Sequence, residues 1–258
     1  CATSVSASSE PASDVPLVRQ DAQNRGRLYL IPVPLGSPLG VTALPPATLA
    51  CARRLTHFVA ESARSARAFL KILPSDAPLQ QIAISQLDEH TPATLLPELL
   101  APLLAGHDVG LLSESGCPAV ADPGAALVAL AHREGIQVVP LVGPSSILLA
   151  LMACGLDGQR FAFHGYLPSS RNEREQRLRE LEKESRQRCQ TQVFIETPYR
   201  NQQLLASLLA VCAQATRVCV ASDLTLASEE ITTRQVAEWQ KHALPAINRR
   251  PTVFLLLA

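Results

Sequence analysis

The sequence predicts an α/β protein in two parts: a mainly parallel N-terminal sheet, then an α+β half built on a mixed sheet. Three observations carry this. Short apolar runs alternate with helical patterns from residue 28 to residue 154. Several of these runs empty into turns rich in Gly, Pro and Ser, as at Ser113–Pro118 and Gly143–Ser146. At Gly155-Leu156-Asp157-Gly158 the rhythm changes and strands begin to follow one another more closely. The expected boundaries are a disordered tail at 1–25, an N-terminal domain at 26–155 and a C-terminal domain at 156–258, with a ligand cleft between the two domains.

The first strand is Leu28–Ile31, followed by strands at 56–60, 82–85, Val109–Leu112 and 138–141. Val109–Leu112 has no polar alternation, the pattern of a strand covered on both faces. Helices are expected within 42–54, 62–73, 92–105, 123–134 and 145–154; Pro97 and Pro102 should kink or break the third. Asp122-Pro123 can open the fourth, and Gly135 can stop it. In the second half, strands are expected at 161–165, 193–196, 218–221, 231–234 and 253–257. Leu204, Leu205, Leu208, Leu209 and Cys212 share one helical face and belong to a core. Arg171–Arg188 reads as a charged helix with seven basic and five acidic residues. Its i, i+3 and i, i+4 pairs favour a solvated, salt-bridged face over an RNA-facing arm.

Composition sets limits on function. With 23 basic and 23 acidic residues the chain lacks the basic footprint of a general nucleic-acid binder. Seven cysteines without a CxxC pair fit reduced thiols in a cytoplasmic protein, with no disulfide framework and no metal site. No apolar run approaches the roughly 18–20 residues of a membrane span. Residues 1–25 lack the layout of a signal peptide. Neither G-x-G-x-x-G nor a P-loop is present, so the turns offer backbone donors and acceptors between small side chains. Those features suit a ligand without phosphate.

Residues 112–124, LSESGCPAVADPG, resemble the V-S-D-A-G-T-P-x-I-S-D-P-G segment of the tetrapyrrole methylase superfamily, two-domain methyltransferases that use S-adenosylmethionine. Within it the chain is most similar to the branch that methylates a ribose 2′-hydroxyl of 16S ribosomal RNA. Val142-Gly143-Pro144-Ser145 resembles that branch's P-G-P-S segment, residues 28–36 its L-Y-I-V-P-T-P-I-G, and residues 194–200 its F-Y-E-S-x-H-R. The likeness runs in order from Gly26 to the C-terminus. Four segments depart from the pattern: 60–64 (A-E-D-T-R in the branch), 86–90, 222–226, where Leu226 replaces a lysine, and Arg249-Arg250, which replace an acidic pair.

The resemblance implies S-adenosyl-L-methionine folded between the domains. Its contacts would come from Leu35, Glu114, Gly116, Cys117, Ser145 and Ser146, with Ile195, Leu224 and Thr252 from the second half. It implies a homodimer, as does the amount of apolar helix surface. A ribose hydroxyl gains from a base that takes its proton. Glu196 and Asp122 are the candidates for that catalytic role, with Glu114, Asp223 and His164 behind them. Each has a structural alternative: Asp122 as a helix cap, Glu114 on the cofactor ribose, Glu196 in an ion pair with Arg200 or Arg64, and His164 as a satisfied core residue. Arg64 and Arg200 are candidates to hold substrate phosphate. Cys117 has no histidine partner in view and is not expected to act as a nucleophile. Two other readings stay open: a small methyl acceptor such as a tetrapyrrole, and a non-catalytic paralogue that binds the cofactor.

Overall fold

The structure, a computed structural model, describes residues 24–36, 42–73 and 76–258. Of the tail expected at 1–25, only Asn24 and Arg25 fall within these residues. The first sheet is formed by β1 (Leu28–Ile31), β2 (His57–Ala60), β3 (Ala83–Gln86), β4 (Val109–Leu112) and β5 (Val138–Pro140). All pairs are parallel, in the order β3-β2-β4-β1-β5. From β1 the chain runs to β2 on one side of the sheet, and from β4 it runs to β5 on the other. The loops after β1 and β4 therefore diverge and leave a crevice at the strands' carboxyl ends, where ligands bind in open sheets.

Helices α1 (Pro46–Arg54) and α2 (Ala63–Ile72) cover one face of this sheet, packing Ala52 and Leu70 against Phe58. On the other face α3 (Leu96–Leu104) and α4 (Gly124–Arg133) bury Leu100, Leu103 and Leu127. A 3-10 turn at Ala93–Leu95 precedes α3, which carries Pro97 in its first turn and runs on through Pro102 without a break.

After α5 (Ser146–Ala153), the second sheet is built from β6 (Phe161–Tyr166), β7 (Thr191–Ile195), β8 (Arg217–Ser222), β9 (Glu230–Gln235) and β10 (Thr252–Leu257). Their order is β6-β7-β10-β8-β9, with β6 and β7 parallel and the other pairs antiparallel. Its outer face is covered by α6 (Arg171–Arg188), α7 (Asn201–Val211) and the short α8 (Val236–Trp239), around Phe194, Phe254 and Trp239. Helix α5 covers the other face, burying Ala150, Leu151 and Cys154 against Val193, Cys219, Ala221 and Val253. A hydrogen bond from the Thr233 hydroxyl to the Cys154 carbonyl (2.7 Å) fixes that contact. The helix that ends the first half is therefore part of the second half's core.

The charged helix α6 has the expected bounds and uses much of its charge on itself. Arg171–Glu175 (2.8 Å), Arg177–Glu180 (3.1 Å) and Arg177–Glu184 (3.1 Å) are ion pairs within the helix. Arg174 is buried, with its guanidinium bonded to Ser207 Oγ and the Ser169 carbonyl. That pattern matches a salt-bridged face. Among the described residues no helix is long and apolar enough to cross a membrane.

Thiol chemistry follows burial. Burial pushes the Cys212 thiol up to about 12 and the Cys219 thiol up to about 11, whereas Cys189 is exposed at the left-handed C-cap of α6. We expect iodoacetamide at pH 8 to label Cys189 and to leave Cys212 and Cys219 unmodified in the folded protein. Peptide mapping that finds Cys212 or Cys219 alkylated as fast as Cys189 would contradict this packing.

Candidate functional site

Three loops meet at the carboxyl edge of the first sheet. Val33 and Gly116 exchange backbone hydrogen bonds of 2.9 and 3.2 Å, so the loops after β1 and β4 pair across the crevice. The Ser115 hydroxyl adds a bond to the Leu35 carbonyl (3.2 Å). Gly116 has φ +72°, and a Cβ there would lie 3.1 Å from the Leu35 side chain. Here only glycine is unstrained. The loop after β5 joins through the Cys117 thiol, which donates to the Pro144 carbonyl at 3.4 Å. Gly143 lies so close to the β1 loop that a Cβ would sit 2.3 Å from Pro32 Cβ. Ser145 caps α5 by accepting from the Leu148 amide at 3.5 Å.

A cavity of about 200 Å³ opens where these loops face the second sheet. Leu35, Ser115 and Ser146 line it from the first half; Ile195, Glu196, Leu224 and Thr252 line it from the second. Beside it lies a wider cleft of about 750 Å³, walled by Glu61, Glu89 and Asp122 on one side and by Thr197 and Arg200 on the other. Tyr166 lines both spaces. A third cavity of about 210 Å³ lies between the β1 and β4 loops and α2, with Glu114 and Ser65 at its polar end and Phe69 among its apolar residues.

Glu196, just past the end of β7, has a fully buried side chain. Its Oε1 accepts from the Thr197 amide (2.7 Å) and from Arg200 Nε (3.0 Å) and Nη2 (2.7 Å). Its Oε2 is buried and has no hydrogen-bond partner. A buried carboxylate oxygen without a donor costs roughly 1–3 kcal/mol or more, so this atom is the one most in need of a ligand. Of the two arginines weighed as partners for Glu196, Arg200 makes the ion pair. Arg64 is exposed in the first turn of α2 and lines none of the three cavities.

Asp122 also faces the cleft, with Oδ1 bonded to the Ala119 amide (2.9 Å) and the Gly124 amide (2.7 Å). These bonds hold a turn in which Ala119 and Ala121 take φ +64° and +57°. Burial pushes the Asp122 carboxyl above the usual aspartate range, against the pull of the two amides. Burial raises Glu61 as well, helped by the neighbouring carboxylates of Glu114, Asp122, Glu89 and Asp88. One wall of the cleft is thus strongly acidic.

Asp223, lining the cavity, accepts from Arg250 Nε and Ser228 Oγ, both at 2.8 Å. The arginine that stands in place of an acidic residue is therefore an anchor for the loop after β8. His164 is satisfied, 2.6 Å from Gln192 Oε1. Burial raises the Cys117 thiol, consistent with a packing role.

Five of the residues read from the sequence as cofactor contacts line the central cavity together: Leu35, Ser146, Ile195, Leu224 and Thr252. Gly116, Cys117 and Ser145 shape the loops around it, and Glu114 lines the neighbouring cavity. Ser115 and Tyr166 were not foreseen. The signal for Tyr166 is Gly165 within an otherwise strand-like run.

The sequence profile of the Tetrapyrrole (Corrin/Porphyrin) Methylases matches residues 27–240. The chain belongs to the tetrapyrrole methylase family. Among its relatives, the ribosomal RNA small subunit methyltransferase I of Xylella fastidiosa is 31% identical over 232 residues, covering 90% of this chain and 81% of that protein. The protein of the same name from Escherichia coli O157:H7 is 31% identical over 239 residues, covering 92% and 79%. Similar solved structures include the methyltransferase CobJ (TM-score 0.59, 20% identity, 90% of this chain and 94% of that one). Cobalt precorrin-4 methyltransferase, CbiF, is similar as well (TM-score 0.59, 15% identity, 94% and 98%). Both structures share the fold of this tetrapyrrole methylase, whose cavity lies between its two sheets.

Proposed function

We propose that this chain is an S-adenosylmethionine-dependent methyltransferase that acts on ribosomal RNA, with a ribose 2′-hydroxyl as the methyl acceptor. The observation that carries the reading is the cavity at the switch point of a tetrapyrrole methylase, lined together by Leu35, Ser146, Ile195, Leu224 and Thr252. Methyltransferase relatives named for ribosomal RNA, about 31% identical over most of the chain, supply the substrate class.

The cavity's donor set fits the cofactor. Leu35, Ile195, Leu224 and Val253 give apolar walls for a base, and Ser146 and Thr252 give hydroxyls. Gly116, Cys117 and Ser145 hold the loop backbones around it, and Glu114 supports the rim. When bound, the sulfonium supplies an electrophilic methyl group. The chain's task is then to align the acceptor and exclude water. Glu196 is the base we favour: Arg200 and the Thr197 amide fix Oε1, leaving Oε2 to accept the acceptor's proton. Asp122 is the second carboxylate on the cleft, with one oxygen already committed to its turn. Arg200 can meet substrate phosphate at the cleft wall. Arg64 would act only at the outer surface.

Two further features complete the reading. Val142, Leu148 and Met152 expose an apolar strip on and beside α5, with Met152 80% exposed, and we assign this strip to a homodimer interface. Met152→Glu is then expected to convert a sedimenting dimer into monomer, and an unchanged sedimentation coefficient would refute that interface. Ribosomal RNA as substrate puts the protein in the cytoplasm.

The test is methyl transfer from radiolabelled S-adenosylmethionine. Label on small-subunit RNA, alkali-stable at one nucleotide, supports the reading. Label on a tetrapyrrole and none on RNA would overturn it.

A further inference from the structure

The chain has three tyrosines. Tyr29 is buried in the first sheet; Tyr166 and Tyr199 are 56% and 71% exposed, and Tyr166 lines both interdomain spaces. Tyr166 ends β6, where pairing with β7 shifts register between Phe163 and Tyr166 and Gly165 takes φ +64°. A bulge of this kind re-aims the side chain that follows it. Its ring stands at the junction of the cavity and the cleft.

Tyr199 sits between Pro198, which lines the cavity, and Arg200, which lines the cleft. The Arg249 guanidinium lies over the Tyr199 ring, 5.8 Å from its centre. Arg249 has φ +63° and donates its amide to the Pro198 carbonyl at 2.9 Å. The two elements that carry this pair are therefore tied together at the cavity's edge.

We propose that Tyr166 and Tyr199 are stacking surfaces for unpaired bases, so that the acceptor RNA is taken as an unstacked single strand and not as a duplex. The inference rests on the RNA reading above and adds the form in which RNA is bound. With 23 basic and 23 acidic residues the chain has no overall positive charge to favour phosphate backbones. Base–aromatic stacking is the sequence-tolerant alternative, with arginine contributing through cation–π contact. The acidic wall of Glu61, Glu89 and Asp122 repels phosphate, which directs a single backbone toward Arg200 on the opposite side. A duplex would present a second backbone to that wall and keep its base faces hidden.

The test combines binding and turnover by the full chain with S-adenosylhomocysteine or S-adenosylmethionine present. The probes are a fluorescent single-stranded RNA of about 12 nucleotides, the same strand annealed to its complement, and deproteinised small-subunit ribosomal RNA. Wild type is expected to bind the single strand at least about 10-fold more tightly than the duplex. Tyr166→Ala and Tyr199→Ala should each weaken single-strand binding and raise the RNA KM roughly 5- to 100-fold. Tyr166→Phe and Tyr199→Phe should restore both, and cofactor Kd should stay at the wild-type value in the two Tyr199 variants. Equal affinity for duplex, Ala variants that bind like wild type, or Phe variants that fail to rescue would overturn the proposal. Methyl transfer to RNA with an unchanged RNA KM in both Ala variants would overturn stacking alone. Failure of wild type to bind or methylate any RNA would overturn the RNA reading along with it.

Discussion

Replacing Glu196 by glutamine is expected to lower kcat about 100- to 10,000-fold while moving cofactor Kd no more than about threefold. Glutamine has the same shape and keeps an oxygen for Arg200 and the Thr197 amide, which now bind Oε1. What changes is the second atom: a carboxylate oxygen that has no donor in this structure becomes an amide nitrogen that cannot take a proton. The readout therefore separates two roles for one side chain. A base shows its loss in kcat. A cofactor ligand shows its loss in Kd. A Glu196→Gln enzyme that turns over at the wild-type rate would remove this residue from the chemistry, and Asp122 would become the carboxylate to test.

Ser146→Trp is expected to raise the Kd for S-adenosylmethionine at least about 100-fold, read by calorimetric titration, with the melting temperature held within a few degrees. Ser146 is the first residue of α5, lines the cavity and is only half-buried. The helix keeps its cap because Ser145, not Ser146, accepts the Leu148 amide. In a space of about 200 Å³ an indole competes directly with any ligand, and little of the core has to move to admit it. Binding close to wild-type strength would put the cofactor elsewhere, with the Glu114 cavity between the β1 and β4 loops and α2 the next place to look.

Much of this architecture is legible in the residues. Strands β1 and β4 have the bounds that their unbroken apolar runs indicate, because each is covered on both faces. The bounds of α6 follow from a long charged run between a turn and the left-handed Cys189. Strand β7 starts earlier than its apolar residues do: Thr191 and Gln192 are polar but fully buried, held by bonds to the Asp157 carbonyl and to Gln190 and His164. Helix α8 is only four residues long, too short for any periodicity to register.

The site divides in the same way. Leu35, Ser146, Ile195, Leu224 and Thr252, which the family resemblance implies as cofactor contacts, line one cavity together. Arg64 is exposed on α2 outside the three cavities, a placement set by which way the helix turns its first residues. Tyr166 is placed by a register shift between β6 and β7 that the sequence marks only by Gly165. The pairing of Asp223 with Arg250 spans 27 residues and two loops, a distance at which local patterns carry no information.

Helix α5 has a mechanical consequence. It begins at the loop that closes the first sheet's crevice, and its body is embedded in the core of the second sheet. Ala150, Leu151 and the Thr233 bond to Cys154 lock α5 to the second sheet, so the helix travels with that half. Movement between the halves has to be taken up in the short turn ahead of it, where Gly143 lies against Pro32 and the Pro144 carbonyl accepts from the Cys117 thiol.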